Sequence, residues 1–90
     1  MFNILLEEIV FDDLKKIQKS DHVFILKRIQ EVLSQSPFPK GKNPKKLQGT
    51  QDFRLRIGNY RIIYSIEKNT VKVYAIGHRK KVYKKINRNK

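Results

Sequence analysis

The sequence predicts a two-layer α+β sandwich, in which a strand and a helical hairpin pack on a mainly antiparallel β-sheet. Apolar residues recur at helical spacing in residues 1–35, and from residue 53 onward they alternate with polar residues as in strands. Turn-forming pairs divide the alternating part into three segments. The expected order is therefore β-α-α-β-β-β, in a single domain of residues 1–90 whose last part, residues 79–90, is a basic C-terminal segment.

The first element is a short strand over residues 2–6, and a helix follows it to about residue 18. The apolar positions of this helix recur at roughly helical spacing and are Ile9, Val10, Leu14 and Ile17. The charged positions are expected to point outward and are Asp12, Asp13, Lys15 and Lys16.

A second helix is expected to begin with Ser20 as its N-cap, because the serine hydroxyl can accept a hydrogen bond from the first turn. Asp21 then places a negative charge where the helix dipole favours it. The expected apolar stripe consists of Val23, Leu26, Ile29, Val32 and Leu33. The helix is expected to end before Pro37, because a residue that precedes proline disfavours the α conformation.

Residues 36–52 are expected to form a loop that is rich in Pro, Gly, Lys and Asn, with Leu47 as its apolar anchor. The loop is longer than most connections in compact domains, and such loops are commonly functional or mobile.

Three antiparallel strands are expected to follow, separated by turns at Gly58-Asn59 and Lys68-Asn69. Glycine at the first central position suits a two-residue type II′ turn. This turn predicts the pairs Ile57–Tyr60, Arg56–Arg61 and Leu55–Ile62. Because side chains alternate between faces, the core face is expected to hold Phe53, Leu55, Ile57, Tyr60, Ile62, Tyr64, Ile66, Val71, Val73 and Ala75. The outer face is expected to hold Arg54, Arg56, Arg61, Ser65, Lys72, Tyr74 and His78.

Three arginines on the outer face are the strongest functional signal. Stability gives no reason to place Arg56 opposite Arg61 with Arg54 beside them, because like charges facing each other across strands repel. One interpretation is a solvated face whose long side-chain stems cover apolar surface. The other is an anion site, because guanidinium forks suit phosphate. His78 is the only side chain expected on this face that can transfer a proton near neutral pH, and no carboxylate is expected there.

The net charge of +13 is unevenly distributed along the chain. Residues 1–35 hold six acids and five bases, a net of −1, whereas residues 36–90 hold two acids and sixteen bases, a net of +14. Such a field attracts polyanions and predicts salt-dependent binding, although it can also serve solubility alone. The lysines expected to dock a nucleic acid or a nucleoprotein are Lys40, Lys42, Lys45, Lys46, Lys80, Lys81, Lys84 and Lys85.

The composition excludes several classes of protein. The absence of cysteine removes disulfide frameworks, thiolate metal sites and cysteine nucleophiles. No apolar run approaches the ~20 residues that span a membrane, and the N-terminus lacks the pattern of a secretory signal. We therefore expect a cytoplasmic protein that uses no metal and no cofactor.

Three stretches of the sequence resemble the RelE/ParE superfamily of toxins from type II toxin–antitoxin modules. They are residues 47–49 (LQG), residues 53–64 (FRLRIGNYRIIY) and residues 75–83 (AIGHRKKVY). The helical hairpin and loop before them fit the same pattern, so the resemblance covers nearly the whole chain. The RelE branch consists of ribosome-dependent ribonucleases that cut mRNA in the A site. The resemblance thus implies attack of the RNA 2′-hydroxyl on the adjacent phosphate, with expulsion of the 5′-oxygen.

The same resemblance implies a set of catalytic residues, namely Arg54, Arg56, Arg61, His78, Arg79 and Tyr83. Some relatives carry lysine where this chain has Arg54 and Arg56, and an arginine stays protonated and is a poor general base. His78 is therefore the best candidate for the base, and Tyr83 for base stacking or for the general acid.

Two other functions stay open at this point. The ParE branch shares the fold but poisons DNA gyrase by binding, and an RNA-binding module without toxicity is a third reading. The RelE-like reading implies three partners: the ribosome, mRNA in the A site, and a RelB-like antitoxin. That antitoxin is expected to be small and acidic, because it must neutralise the basic face.

Overall fold

Two helices lie on one face of a five-stranded sheet in the computed structural model, which describes residues 1–78. The elements in chain order are β1 (Asn3–Leu6), α1 (Glu8–Lys15), α2 (Lys19–Leu33), β2 (Lys45–Lys46), β3 (Phe53–Ile57), β4 (Tyr60–Glu67) and β5 (Thr70–His78). The α+β class and the predicted order are confirmed, with the short β2 as an addition inside the predicted loop. None of the helices in these 78 residues is long and apolar enough to cross a membrane.

The sheet has the strand order β1-β5-β4-β3-β2. β1 runs parallel to β5, while the other neighbouring strands are antiparallel. The β3–β4 hairpin has the predicted register, with Arg56 opposite Arg61. Gly58 has φ +57° at the first central position of the turn, as a type II′ turn requires. The second turn is also confirmed, because Glu67 pairs with Thr70.

The second helix differs from the prediction at its start and along its stripe. It begins at Lys19 with Gln18 as N-cap, so Ser20 lies inside the first turn and is not the cap. Asp21 does lie in that first turn. Val23 is 62% exposed, whereas Ile25 is fully buried. The buried positions Ile25, Ile29 and Leu33 are four residues apart and form one ridge, and Val23 lies about 200° around the helix from Ile25.

The prediction that Asp13 points outward from the first helix is wrong. It is fully buried between the helix and the sheet, and its Oδ2 accepts a hydrogen bond from the Ile76 N–H at 3.1 Å. The reason lies in the sheet, because β1 pairs with β5 only as far as Val73. Beyond that point a side chain supplies the acceptor that a strand would otherwise supply, and a buried N–H without one is costly.

A β-bulge in β5 reverses the side-chain alternation that the sequence predicted for the end of the strand. Tyr64 pairs with Val73 and Ile63 with Ala75, so Tyr74 is the extra residue. Ala75, predicted in the core, therefore packs with Ile63 on the outer face, together with Tyr74 and the predicted anchor Leu47.

The same reversal moves Ile76 and His78. Ile76 enters the core in place of Ala75 and is fully buried. His78 pairs with Tyr60 and so lies on the helix side of the sheet. The prediction that His78 shares a face with the arginines is wrong, because a bulge of one residue shifts every later side chain to the opposite face.

Candidate functional site

The β3–β4 hairpin brings the three predicted arginines together on the outer face of the sheet. Arg56 and Arg61 are direct partners in the antiparallel register. Arg54 lies two residues before Arg56 and therefore on the same face. Rigid paired strands thus place three arginines on one face, and their guanidinium groups suit an anion with several oxygens.

Arg54 is bound to the loop that precedes its strand. Its Nη2 donates a hydrogen bond of 2.8 Å to the carbonyl oxygen of Lys42. Its Nε is buried and has no hydrogen-bond partner within residues 1–78. The side chain is half-buried, so Arg54 takes part in holding the loop as well as in the charge of the face. Arg56, in contrast, has an exposed side chain.

Asn43 is a site residue that the sequence analysis missed. Its Oδ1 accepts a 2.7 Å hydrogen bond from the Arg56 N–H, and its Nδ2 donates a 3.1 Å hydrogen bond to the Arg56 carbonyl. The side-chain amide thus pairs with the β3 edge as a strand would. Such a pairing leaves no periodic signal in the sequence, since it needs one residue and the fold of the loop.

The basic loop, defined here as residues 40–46, is therefore an ordered part of this face. β2 within it pairs with β3, and Lys45 faces Arg54. Four predicted docking lysines are exposed on the loop: Lys40, Lys42, Lys45 and Lys46. They extend the positive charge of the arginines along one side of the sheet.

Arg61 lies at the end of the hairpin. Its Nη1 donates hydrogen bonds of 3.2 Å to the carbonyl oxygens of both Gly58 and Tyr60. These carbonyls keep the guanidinium beside the turn, at the border between the outer face and the helix side.

Tyr74 and Asp52 add acid–base chemistry to the outer face, where Tyr74 was predicted but Asp52 was not. Tyr74 is half-buried against Ile63 and Ala75. Burial and the neighbouring Asp52 carboxylate raise the pKa of its hydroxyl above the usual value. A carboxylate therefore does reach this face, although none was expected there, and it favours the neutral phenol.

His78 contacts Tyr60 on the helix side, with ring centroids 4.7 Å apart. The Tyr60 hydroxyl donates a 3.1 Å hydrogen bond to Oδ2 of Asp21. Desolvation and then the Asp21 carboxylate raise the pKa of Tyr60 above its usual value. The other predicted site residues lie outside the described residues: Arg79, Lys80, Lys81, Tyr83, Lys84 and Lys85.

Comparisons with known proteins agree with this architecture. A family model described as the ParE toxin of the type II toxin–antitoxin system parDE matches residues 4–83. No curated protein matches the chain significantly.

Among solved structures, a mutant of the E. coli toxin RelE in the free state has a TM-score of 0.77 at 21% identity, covering 98% of this chain and 96% of that one. The toxin–antitoxin complex RelBE2 from Mycobacterium tuberculosis has a TM-score of 0.74 at 24% identity, covering 87% and 91%. The RelB–RelE complex from Methanococcus jannaschii has a TM-score of 0.69 at 29% identity, covering 89% and 95%. These likenesses show a common fold.

Proposed function

The chain belongs to the ParE toxin family of type II toxin–antitoxin systems, and from this premise we propose that it is a ribosome-dependent mRNA endonuclease. The observation that carries the proposal is the pairing of Arg56 with Arg61 across the hairpin, with Arg54 on the same face. Like charges held opposite each other gain a favourable partner when an anion such as a phosphodiester lies between them.

The proposed reaction is an internal transfer at one phosphodiester of the mRNA. The 2′-oxygen loses its proton and bonds to the adjacent phosphorus, while the bond from phosphorus to the 5′-oxygen breaks. The leaving 5′-oxygen takes up a proton, and the products are a 2′,3′-cyclic phosphate and a 5′-hydroxyl. Negative charge grows on the phosphoryl oxygens during this step, and fixed guanidinium groups stabilise it.

The described residues favour an enzyme that relies on charge and positioning. Arg54, Arg56 and Arg61 stay protonated and stabilise charge, but they do not accept protons. His78 lies on the opposite side of the sheet, so we do not assign it the role of base. Placement of the mRNA by the ribosome would supply much of the rate enhancement, and cleavage of free RNA should be weak.

The test is primer extension on mRNA in a translating extract, with and without the purified protein. We expect new 5′ ends at A-site codons, and Arg56→Ala should lower their yield about a hundredfold, as for removal of one charge-stabilising donor. Arg28→Ala is the matched control, because Arg28 is an exposed arginine on α2. Intact mRNA with the unaltered protein would contradict the proposal.

The second candidate is a toxin that binds DNA gyrase, and the match to the ParE family model favours it. It predicts inhibited gyrase supercoiling together with intact mRNA in the same extract. If neither mRNA nor supercoiling is affected while RNA still binds, the chain is an RNA-binding module without toxicity.

We also propose that a RelB-like acidic antitoxin holds the protein inactive. Complexes of toxin and antitoxin are among the solved structures with this fold. The excess of +14 in residues 36–90 favours an acidic partner, because complementary charge speeds association and selects the partner.

A further inference from the structure

A groove opens on the helix side of the sheet, between the first half of α2 and the end of the β3–β4 hairpin. Its volume is about 230 Å³, which is below the usual range for drug-sized ligands and suits a single ring system. The buried Ile25 and Ile57 contribute apolar surface. We call it the Asp21 groove, because Asp21 is the carboxylate among the lining residues within 1–78.

Aromatic rings form much of its wall. Tyr60 and His78 contact each other at a centroid distance of 4.7 Å and an interplanar angle of 41°. Phe24 lines the same groove with 54% of its surface exposed. Exposed rings around a narrow groove offer stacking surface to another flat ring.

Asp21 determines which polar groups the groove can accept. Its Oδ2 takes the hydrogen bond from the Tyr60 hydroxyl, while Oδ1 takes none from any residue within 1–78. An ionised carboxylate accepts hydrogen bonds and donates none. A flat ligand in this groove should therefore present an N–H group at its edge.

The groove lies next to the proposed phosphate site. The hairpin turn that forms part of its wall also binds Arg61, through the Gly58 and Tyr60 carbonyls. Tyr60 and Arg61 are successive strand residues and so face opposite sides of the sheet. A single-stranded RNA whose phosphate contacts Arg61 can bend around this turn and bring a nearby nucleobase to the groove.

We infer that the Asp21 groove is a subsite for one unpaired nucleobase, and that the Asp21 carboxylate selects bases with an amino group over uracil. The N4 amino group of cytosine donates to a carboxylate, whereas uracil has a carbonyl oxygen at the same position, which the carboxylate repels. Stacking on aromatic rings together with contacts to the base edge is the common way to read unpaired RNA. The inference depends on the proposed function, which makes RNA the substrate.

A basic side chain of a protein partner is the competing occupant, because rings and a carboxylate also attract cations. Two observations favour a nucleobase over a basic side chain as the occupant. The chain carries a net charge of +13, which repels cationic partners and attracts a polyanion. In addition, Arg61 at the same turn provides a contact for phosphate and offers nothing to a cation.

The test uses nucleosides, which carry no phosphate and therefore do not engage the arginines. Cytidine and uridine are titrated into the full chain while the ring signals of Phe24, Tyr60 and His78 are followed by NMR. We expect cytidine to shift these signals at about a tenfold lower concentration than uridine.

Three variants and one control separate stacking, edge recognition and structure. Asp21→Asn should abolish the preference for cytidine, while Glu31→Gln, an exposed carboxylate on the same helix, should keep it. Phe24→Ala should weaken the binding of both nucleosides about tenfold, because it removes stacking surface. Tyr60→Phe removes the bond to Asp21 but keeps the ring, so the preference should persist.

Equal binding of cytidine and uridine would overturn the inference, and so would tighter binding of N-acetyl-arginine amide than of cytidine. Failure of the proposed nuclease function looks different. In that case the nucleoside preference and its disappearance in Asp21→Asn remain, while mRNA in the translating extract stays intact.

Discussion

Two polar side chains complete the sheet at positions where an edge strand has stopped. Asn43 pairs with the backbone of Arg56 beyond the end of β2, and Asp13 pairs with the Ile76 N–H beyond the end of β1. Both positions need an acceptor for a backbone N–H. At the scale of the residue, single side chains thus extend the pairing of the sheet beyond its two edge strands.

Replacement of Asn43 by alanine removes both hydrogen bonds to Arg56 without changing the charge of the molecule. We expect the free energy of unfolding to fall by about 1 kcal/mol, because these bonds are exposed. Affinity for single-stranded RNA should fall as well, since the loop lysines lose their fixed position. Urea unfolding and RNA titration measure the two effects, and Gln48→Ala in the same connection is the control. Unchanged RNA affinity would show that the order of the loop is irrelevant to binding.

Replacement of Asp13 by alanine leaves the buried Ile76 N–H without this acceptor. We expect a loss of roughly 2 kcal/mol in the free energy of unfolding, and a smaller loss for Asp13→Asn, which keeps an acceptor oxygen. Asp12→Ala is the matched control, because the Asp12 side chain is 68% exposed and lies 3.9 Å from Lys15. Equal stability of the Asp13→Ala and Asp12→Ala proteins would contradict this role.

The sequence predicted the elements better than the faces they present. Local rules predicted the end of the second helix before Pro37, both hairpin turns and the Arg56–Arg61 pair. These rules work because turn residues and side-chain periodicity act over a few positions. The bulge at Tyr74 leaves no such local signal. The prediction for His78 failed because His78 lies beyond this bulge, whereas the prediction for the arginines held because the β3–β4 register is regular.

The two hairpin turns place different residues at nearly the same positive φ. Gly58 has φ +57° and Lys68 has φ +56°, and a side chain in this region is strained by about 1–2 kcal/mol. Gly58→Ala should therefore lower the stability of the protein by about 1 kcal/mol. Lys68→Gly should raise it by a few tenths of a kcal/mol, because relief of strain exceeds the cost in chain entropy.

Thermal unfolding of these two variants provides the measurement. The opposite signs make each variant a control for the other, because neither position buries a side chain. A destabilised Lys68→Gly protein would mean that the lysine makes interactions that outweigh its strain.

At the scale of the whole molecule, charge and architecture coincide. The two helices belong to residues 1–35, which have a net charge of −1. Strands β2 to β5 and the basic loop belong to residues 36–78, which hold nine bases and two acids, a net of +7. The molecule therefore has a basic sheet side, and its affinity for a polyanion should depend on salt.

The loop lysines should account for a measurable part of this salt dependence. Changing Lys40, Lys42, Lys45 and Lys46 to glutamine should reduce the slope of log K against log salt for single-stranded RNA. The expected reduction is about 0.7 for each phosphate that the protein no longer neutralises. The matched control changes four helix-layer lysines: Lys15, Lys16, Lys19 and Lys27. Equal slopes in the two quadruple variants would place the RNA elsewhere on the molecule.

The parallel pairing of β1 with β5 has a consequence for the order in which the protein is made. Asn3 pairs with Thr70, so the first strand to leave a ribosome must wait for the last strand of the sheet. Contacts so distant in sequence form late, because the loop between them must close first. During synthesis the helical hairpin can form early, whereas the hairpin of β3 and β4 that carries the three arginines is made in the second half. A growing chain of this toxin should therefore acquire its charged face only after its helical layer has been made.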